Sequence, residues 1–299
     1  MARSRDFQGY GGEPPAAGWP GDARVAVSFV LNIEEGAELN VSSGDHRNEP
    51  VHEVVSGVDD VPDLCMESHY EYGTRAAYWR IMEVFARYGV PVTLNACGRA
   101  IELSPWLARD AVARGHEICC HGYRWEEHAR LPEGEERAII ARALGAIGAA
   151  SGVAPVGWHT RSSPSVNTRR ILVEHGLLYD SDAYDDDLPH YVDVGGQAHL
   201  VLPYAFDTND MRFHGSSPTL LRAADFAGYV TDAYDWLWDE GAARPKMMSV
   251  GLHLRIIGRP GRIGGLEAVL RHMKSRGATW FARRMDIARH WRQRFPATA

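Results

Sequence analysis

Cysteine is scarce in this sequence. Of 299 residues only four are cysteines, at positions 65, 97, 119 and 120, with no CxxC pair and no spacing suited to a zinc finger. Adjacent Cys119 and Cys120 point to opposite faces of a strand and read as small buried hydrophobes, not catalytic thiols. Positive charge is not in excess either. Lys and Arg number 32 against 39 Asp and Glu, a formal charge of −7, which disfavours phosphate backbones and anionic membranes as partners. The longest strongly apolar run, 25–31, is far too short to span a bilayer, and no apolar stretch follows the basic start as in a secretory signal. The expectation is a cytoplasmic protein with no nucleic-acid and no membrane partner. No GxGxxG follows the first strand, and neither a P-loop lysine pattern nor a GxSxG elbow occurs. Hydride transfer, phosphoryl transfer and serine hydrolysis lose ground accordingly.

What is present is a succession of short strand-like runs at 24–31, 91–96, 116–120, 155–160, 177–180, 199–204, 246–252 and 278–283. Helical patterns separate most of them, at 74–88, 105–114, 133–150, 167–175, 219–240, 263–276 and 285–295. Such alternation predicts an α/β fold, a distorted (β/α) barrel of about seven to eight parallel strands. A single hydrolase domain is expected over 24–299, behind an N-terminal arm at 1–23 whose glycines and prolines block regular structure. Between Glu35 and Met66 a polar insertion reads as a rim over a pocket or an intersubunit segment.

The runs lead into Glu34 and Glu35, Asn95, His121, Arg161, Asp182, Asp207 and Asn209, His253, and Asp286. In a parallel barrel the carboxyl ends of the strands share one face, so these residues are expected to converge, and an enzyme is the leading reading. The paired acids suit a general base with a partner, because burial and like charge raise one proton affinity. His121 precedes Gly122, which lets backbone approach a ligand, and with His253 it makes an acid and base pair across a substrate plausible. Arg161 suits a carboxylate or a polarised carbonyl, or a bidentate contact that orients the acidic pair. The stretch 203–212 reads more as a hydrogen-bonded turn, and the acids of 180–187 as a solvated loop of which one member orients Arg161.

The segments 32–36, 66–73, 121–125, 207–213 and 246–253 resemble the polysaccharide deacetylase superfamily over most of 24–293. In that superfamily an aspartate pair follows the first strand, matched here by Glu34 and Glu35 with both acids lengthened. A histidine follows another by four residues, both on zinc. Here His121 is followed at that distance by Trp125, whose indole cannot coordinate zinc, and His128 is too far on to occupy the same place. The altered motif is similar to a subgroup, the metal-independent allantoinases and cyclic imide hydrolases, or imidases. Where allantoinases of this group tend to have Tyr and Gly, this chain has Trp158-His159-Thr160-Arg161, so allantoin and a cyclic imide stay equally open.

The resemblance implies a hydrolase that opens a small cyclic amide ring by water attack on a ring carbonyl, requiring no cofactor. Glu34, Glu35, His121 and His253 are the expected catalytic residues, with Glu35 as base supported by Glu34. Trp125, Arg161, Trp158, His159 and Asn95 are the expected substrate-binding residues. The resemblance also implies a homotetramer. The alternative is a zinc-dependent deacetylase acting on an N-acetylated sugar or amine, with Glu35 and His121 as ligands; a third is a barrel that only binds a small ring.

Overall fold

The computed structural model describes residues 5–54, 56–161, 163–214, 220 and 222–297. The first four residues of the arm and the expected helix start at 219 lie outside these.

Among the described residues nine strands form one sheet: β1 (Val25–Ile33), β2 (Val92–Ala96), β3 (Glu117–Cys120), β4 (Gly157–Trp158), β5 (Tyr179–Asp180), β6 (His190–Val194), β7 (Gln197–Val201), β8 (Lys246–His253) and β9 (Thr279–Phe281). Eight follow the order β6-β7-β5-β4-β3-β2-β1-β8. All pairings are parallel except β6 with β7. The architecture is therefore the expected α/β distorted barrel, a curled half-barrel of mostly parallel strands, with two particular features. The hairpin β6–β7 adds an antiparallel edge within a region read as loop. The gap between the end strands is lined by irregular backbone: Met247 and Gly251 on the free edge of β8 donate to the carbonyls of Asp187 and Thr208, both at 2.8–3.0 Å. Covering an edge in this way removes its unpaired donors from solvent.

β8 takes one edge of β1 over 25–32, so β2 and β9 must share the other: β9 pairs with Val25–Val27 and β2 with Phe29–Ile33. β9 thus ends level with Val27, well short of the face where Ile33 ends. That is why Asp286, which pairs with Arg283 at 2.7 Å, takes no part in the pocket.

The helices are α1 (Leu64–Tyr72), α2 (Tyr78–Tyr88), α3 (Gly98–Leu103), α4 (Pro105–Ala113), α5 (Glu133–Ser151), α6 (Thr168–Glu174), α7 (Ala223–Glu240), α8 (Leu254–Ile257), α9 (Pro260–Arg276) and α10 (Arg284–Arg294). One π-turn, Gly73–Ala77, joins α1 to α2. The insertion is consequently shorter than its sequence suggests, because Asp63 caps α1 by accepting from the Met66 N–H at 2.9 Å. Among the described residues no helix is long and apolar enough to cross a membrane.

Strand side chains alternate between two faces, and here the faces differ in kind. Val25, Val27, Phe29, Leu31, Ile33, Leu94, Cys120, Trp158, Val250 and Leu252 belong to the large core under the helices. On the concave side, Ala26, Cys119, Tyr179, Leu200 and Met247 pack with Trp19 of the arm and Ile287 and Trp291 of α10. Beyond this apolar floor the concave side turns polar. Fully buried Arg284 donates there to Ser181 Oγ (2.9 Å), Ser249 Oγ (2.7 Å) and the Pro203 carbonyl (3.0 Å), tying the middle of β8 to the segments that follow β5 and β7.

Candidate active site

The alternation that makes the core also selects the site. Counting in steps of two from concave-facing positions leads to Asn32 and Glu34, Asn95, His121, His159, and His253, all at carboxyl ends and all at most 5% exposed. Trp158 has the opposite parity. It is fully buried in the core, its indole donates to Thr160 Oγ1 at 2.9 Å, and it is not available to a ligand. Its expected substrate-binding role is corrected for that reason.

Glu34 is the carboxylate at the centre. Its Oε1 is 3.6 Å from His121 Nε2, and its Oε2 is 3.9 Å from His253 Nε2. Arg255 Nη1 donates to Oε2 at 2.9 Å. Burial pushes the Glu34 carboxyl up, but the Arg255 guanidinium and the two imidazoles outweigh it and hold the group well below the usual carboxylate range.

Both histidines have a fixed working nitrogen. His121 Nδ1 lies 2.6 Å from the His159 carbonyl, which only accepts, so Nδ1 carries the proton and Nε2 faces Glu34. His253 Nδ1 lies 2.7 Å from Asp210 Oδ1, which again leaves Nε2 for chemistry. After His121, Gly122 adopts φ +86°, a left-handed turn that suits glycine and brings its carbonyl to the Gly98 N–H at 2.9 Å.

Glu35, the next residue after Glu34, faces the opposite way. Its Oε2 accepts from the Glu34 N–H at 3.0 Å, and its Oε1 has no hydrogen-bond partner among the described residues. A Cβ on Gly73 would fall 2.4 Å from that Oε1, so the π-turn is built against this carboxylate. π-turns recur at functional sites. Burial first, and then the neighbouring Glu34, push the Glu35 carboxyl up to about 7 against the pull of Arg255 3.8 Å away. The adjacent acids are brought to one place but not to one face, and Glu34 alone meets the imidazoles.

Arg255, from α8 just beyond β8, was not foreseen. It also lies 4.7 Å from the Tyr70 ring and 5.6 Å from the Trp125 ring. Trp125 is packed edge-on to Tyr70, with centroids 5.8 Å apart, and Arg161 stacks on it with its guanidinium carbon 3.5 Å from the ring centre. The insertion covers this side: the Ala37 carbonyl accepts from the Trp125 N–H at 3.3 Å, and Asp45 holds Arg124 at 2.6 Å.

Asn95 and His159 form a second layer. Asn95 Nδ2 donates to His159 Nδ1 at 3.0 Å, leaving the Nε2 proton for the Tyr184 hydroxyl at 3.2 Å. Burial, with His121 and Arg284 nearby, holds the His159 imidazole well below its ordinary range, so it is neutral. The acidic loop does not orient Arg161. Asp180 pairs with Arg169 at 2.8 Å and Asp182 accepts from the Thr160 N–H at 2.7 Å. Asp207 is exposed, and Asn209 Nδ2 donates to the Tyr204 hydroxyl at 3.3 Å. A surface cavity of about 1120 Å3 borders Asp182 and the arm but includes none of Glu34, His121 and His253.

Comparison with known proteins shows the family of the chain. A family model described as polysaccharide deacetylase matches residues 48–179. A Schizosaccharomyces pombe protein named "Putative polysaccharide deacetylase" is 34% identical over the full length of both chains. The chain belongs to the polysaccharide deacetylase superfamily. Within the superfamily, the solved structure of PuuE allantoinase matches all of both chains with 44% identity and a TM-score of 0.94. A "probable Polysaccharide deacetylase" from Pseudomonas aeruginosa PAO1 matches 99% of this chain and all of its own, at 45% identity and the same TM-score. The chain fits the superfamily together with its allantoinase branch.

The zinc of the superfamily finds a poor donor set here. Trp125 offers an N–H and no lone pair in its ring plane, and Arg255 places a cation against both glutamates. Among the described residues no three His, Cys, Asp or Glu are grouped to hold a metal ion.

Proposed function

We propose that the protein is a hydrolase that opens a small cyclic amide, an imide or a ureide such as allantoin, by water attack on a ring carbonyl without a metal. The observation that carries this reading is the Glu34 carboxylate set between two imidazole Nε2 atoms and held by the Arg255 guanidinium at 2.9 Å. The 44% identity to PuuE allantoinase supports it.

Glu34 accepts a proton from water, whose oxygen bonds to the ring carbonyl carbon. With Nδ1–H already held by the His159 carbonyl, a second proton on His121 Nε2 lets that nitrogen, with backbone N–H groups, stabilise the oxyanion, where loss of one donor costs ~100-fold or more in rate. The C–N bond breaks, the imidazolium form of His253, held at Nδ1 by the Asp210 carboxylate, gives its Nε2 proton to the departing nitrogen, and the proton on Glu34 returns to His253 Nε2, 3.9 Å away. The departing nitrogen of an imide or ureide spreads its charge onto a second carbonyl, so less Lewis-acid help is needed than for an acetamide. Trp125 forms an apolar wall for the flat ring. The same reading carries a homotetramer, which sedimentation tests.

The test is turnover of allantoin, hydantoin, succinimide, glutarimide and phthalimide by chelator-treated protein whose metal content is assayed in parallel. Ring opening by metal-free protein is the expected result. Stoichiometric zinc with acetate release from acetylated sugars, and no ring opened, overturns the reading in favour of a deacetylase.

A further inference from the structure

Arg161 stands apart from the other cations around the site. Arg255, Arg124 and Arg99 each donate to a carboxylate or carbonyl: Glu34 at 2.9 Å, Asp45 at 2.6 Å and the Gly36 carbonyl at 2.9 Å. Arg161 has no hydrogen bond or ion pair among the described residues, only the stack on Trp125 at 3.5 Å. Stacking fixes the plane of a guanidinium and leaves its N–H edge free to donate. The platform carries a second unmet donor, because Trp125 Nε1 is buried without a partner among the described residues while the whole residue is 6% exposed. A buried indole N–H without an acceptor is a net loss unless something supplies an oxygen. Arg161 and Arg255 both lie over the Trp125 ring, at 3.5 and 5.6 Å, so the unpaired cation and the one paired with Glu34 border the same indole.

We propose that Arg161, on its Trp125 platform, is the specificity-determining residue that reads an oxygen-rich group outside the substrate ring, a carboxylate or a ureido carbonyl. This rests on the ring-opening reading above. With the reacting carbonyl at Glu34 and His253, such a group satisfies donors that an unsubstituted ring leaves unpaired. Sites built around polar contacts discriminate against analogues lacking the partner far more strongly than apolar pockets do.

The experiment compares kcat and KM for three hydantoins, unsubstituted, 5-carboxymethyl and 5-ureido, using the full chain as wild type, Arg161→Met and Arg161→Lys, with thermal melts to verify folding. The wild type is expected to prefer one substituted ring by about 100-fold in kcat/KM, and Arg161→Met to shrink that preference by at least about 10-fold, chiefly through KM. Arg161→Lys, which keeps charge but not the planar fork, is expected to restore preference for the carboxylate more than for the ureido group. Wild type that opens all three rings without preference, or Arg161→Met that lowers all three by the same factor, overturns this inference alone. Wild type that opens imides but none of these hydantoins overturns this inference alone, and wild type that opens neither overturns the ring-opening reading with it.

Discussion

Asp210 holds His253 twice: its Oδ1 lies 2.7 Å from the imidazole Nδ1, and its Oδ2 accepts from the His253 backbone N–H at 2.8 Å. The same Oδ2 accepts from the Ile257 N–H at 3.1 Å, so one carboxylate fixes the end of β8, the start of α8 and the tautomer of the histidine.

Replacing Asp210 by Asn has a definite sign. Two backbone donors demand an oxygen at the Oδ2 position, which forces the amide nitrogen against His253 Nδ1. That nitrogen donates, Nδ1 must accept, and the imidazolium that protonates the leaving nitrogen is disfavoured, leaving a neutral ring whose Nε2–H is a far weaker acid. Asp210→Asn is expected to lower kcat by roughly 100-fold to 10,000-fold while leaving the melting temperature near wild type. Steady-state kinetics with a melt control checks this, and a kcat within about threefold of wild type contradicts the tautomer argument.

The two neighbouring acids separate by geometry. Glu34→Gln removes the only glutamate facing the imidazoles and is expected to reduce kcat by about 1,000-fold, the usual range for loss of a general base. Glu35→Gln keeps the acceptor for the Glu34 N–H, and is expected to stay within about tenfold of wild type. A larger loss from Glu35→Gln than from Glu34→Gln returns the base to Glu35.

Glu35 also leaves a mark on stability. Its carboxyl titrates at about 7 in the fold against 4.5 ordinarily, chiefly because burial opposes its charge. Between those values the folded state keeps a proton that the unfolded chain has released. The contribution of this group is therefore fully present below 4.5 and is lost as pH rises through 7, by up to about 3 kcal/mol. Glu35→Gln has nothing to titrate. Denaturant unfolding at pH 5 and pH 8 is expected to show the variant gaining on the wild type at the higher pH, and a pH-independent difference refutes the assignment.

Much of the fold was legible because the strand at 25–33 is a continuous apolar run, as buried parallel strands are, and because His121 and His253 stand where such runs end. The misreadings have physical causes. Glu34 and Glu35 read as one acidic pair, yet a period of two had already assigned them to opposite faces, and the same count separates His159 from Trp158. Asp210 was passed over as part of a turn because its partner lies 43 residues away, and nothing local marks it. Arg255 sits two residues beyond His253 in a short helix, where a basic residue near an apolar strand end was the available signal. The β6–β7 hairpin stayed hidden since its first strand is only half-buried and lacks the apolar run.

The last prediction concerns what opposes a metal. Trp125→His supplies a second imidazole at the position where the superfamily has one, and His121 Nε2 is already turned toward Glu34 by the His159 carbonyl. Ligand identity is only half of the requirement, because Arg255 puts a full positive charge 2.9 Å from Glu34 and 3.8 Å from Glu35, against which a divalent cation must compete. Trp125→His alone is thus expected to bind zinc weakly, and Trp125→His combined with Arg255→Met at least about 100-fold more tightly, a difference of roughly 3 kcal/mol. Competition against a chromophoric chelator measures both, and a double-mutant cycle isolates the repulsion from any unfolding. Equal zinc affinity with and without Arg255 means that the guanidinium is no barrier, and that the indole alone accounts for the poor donor set.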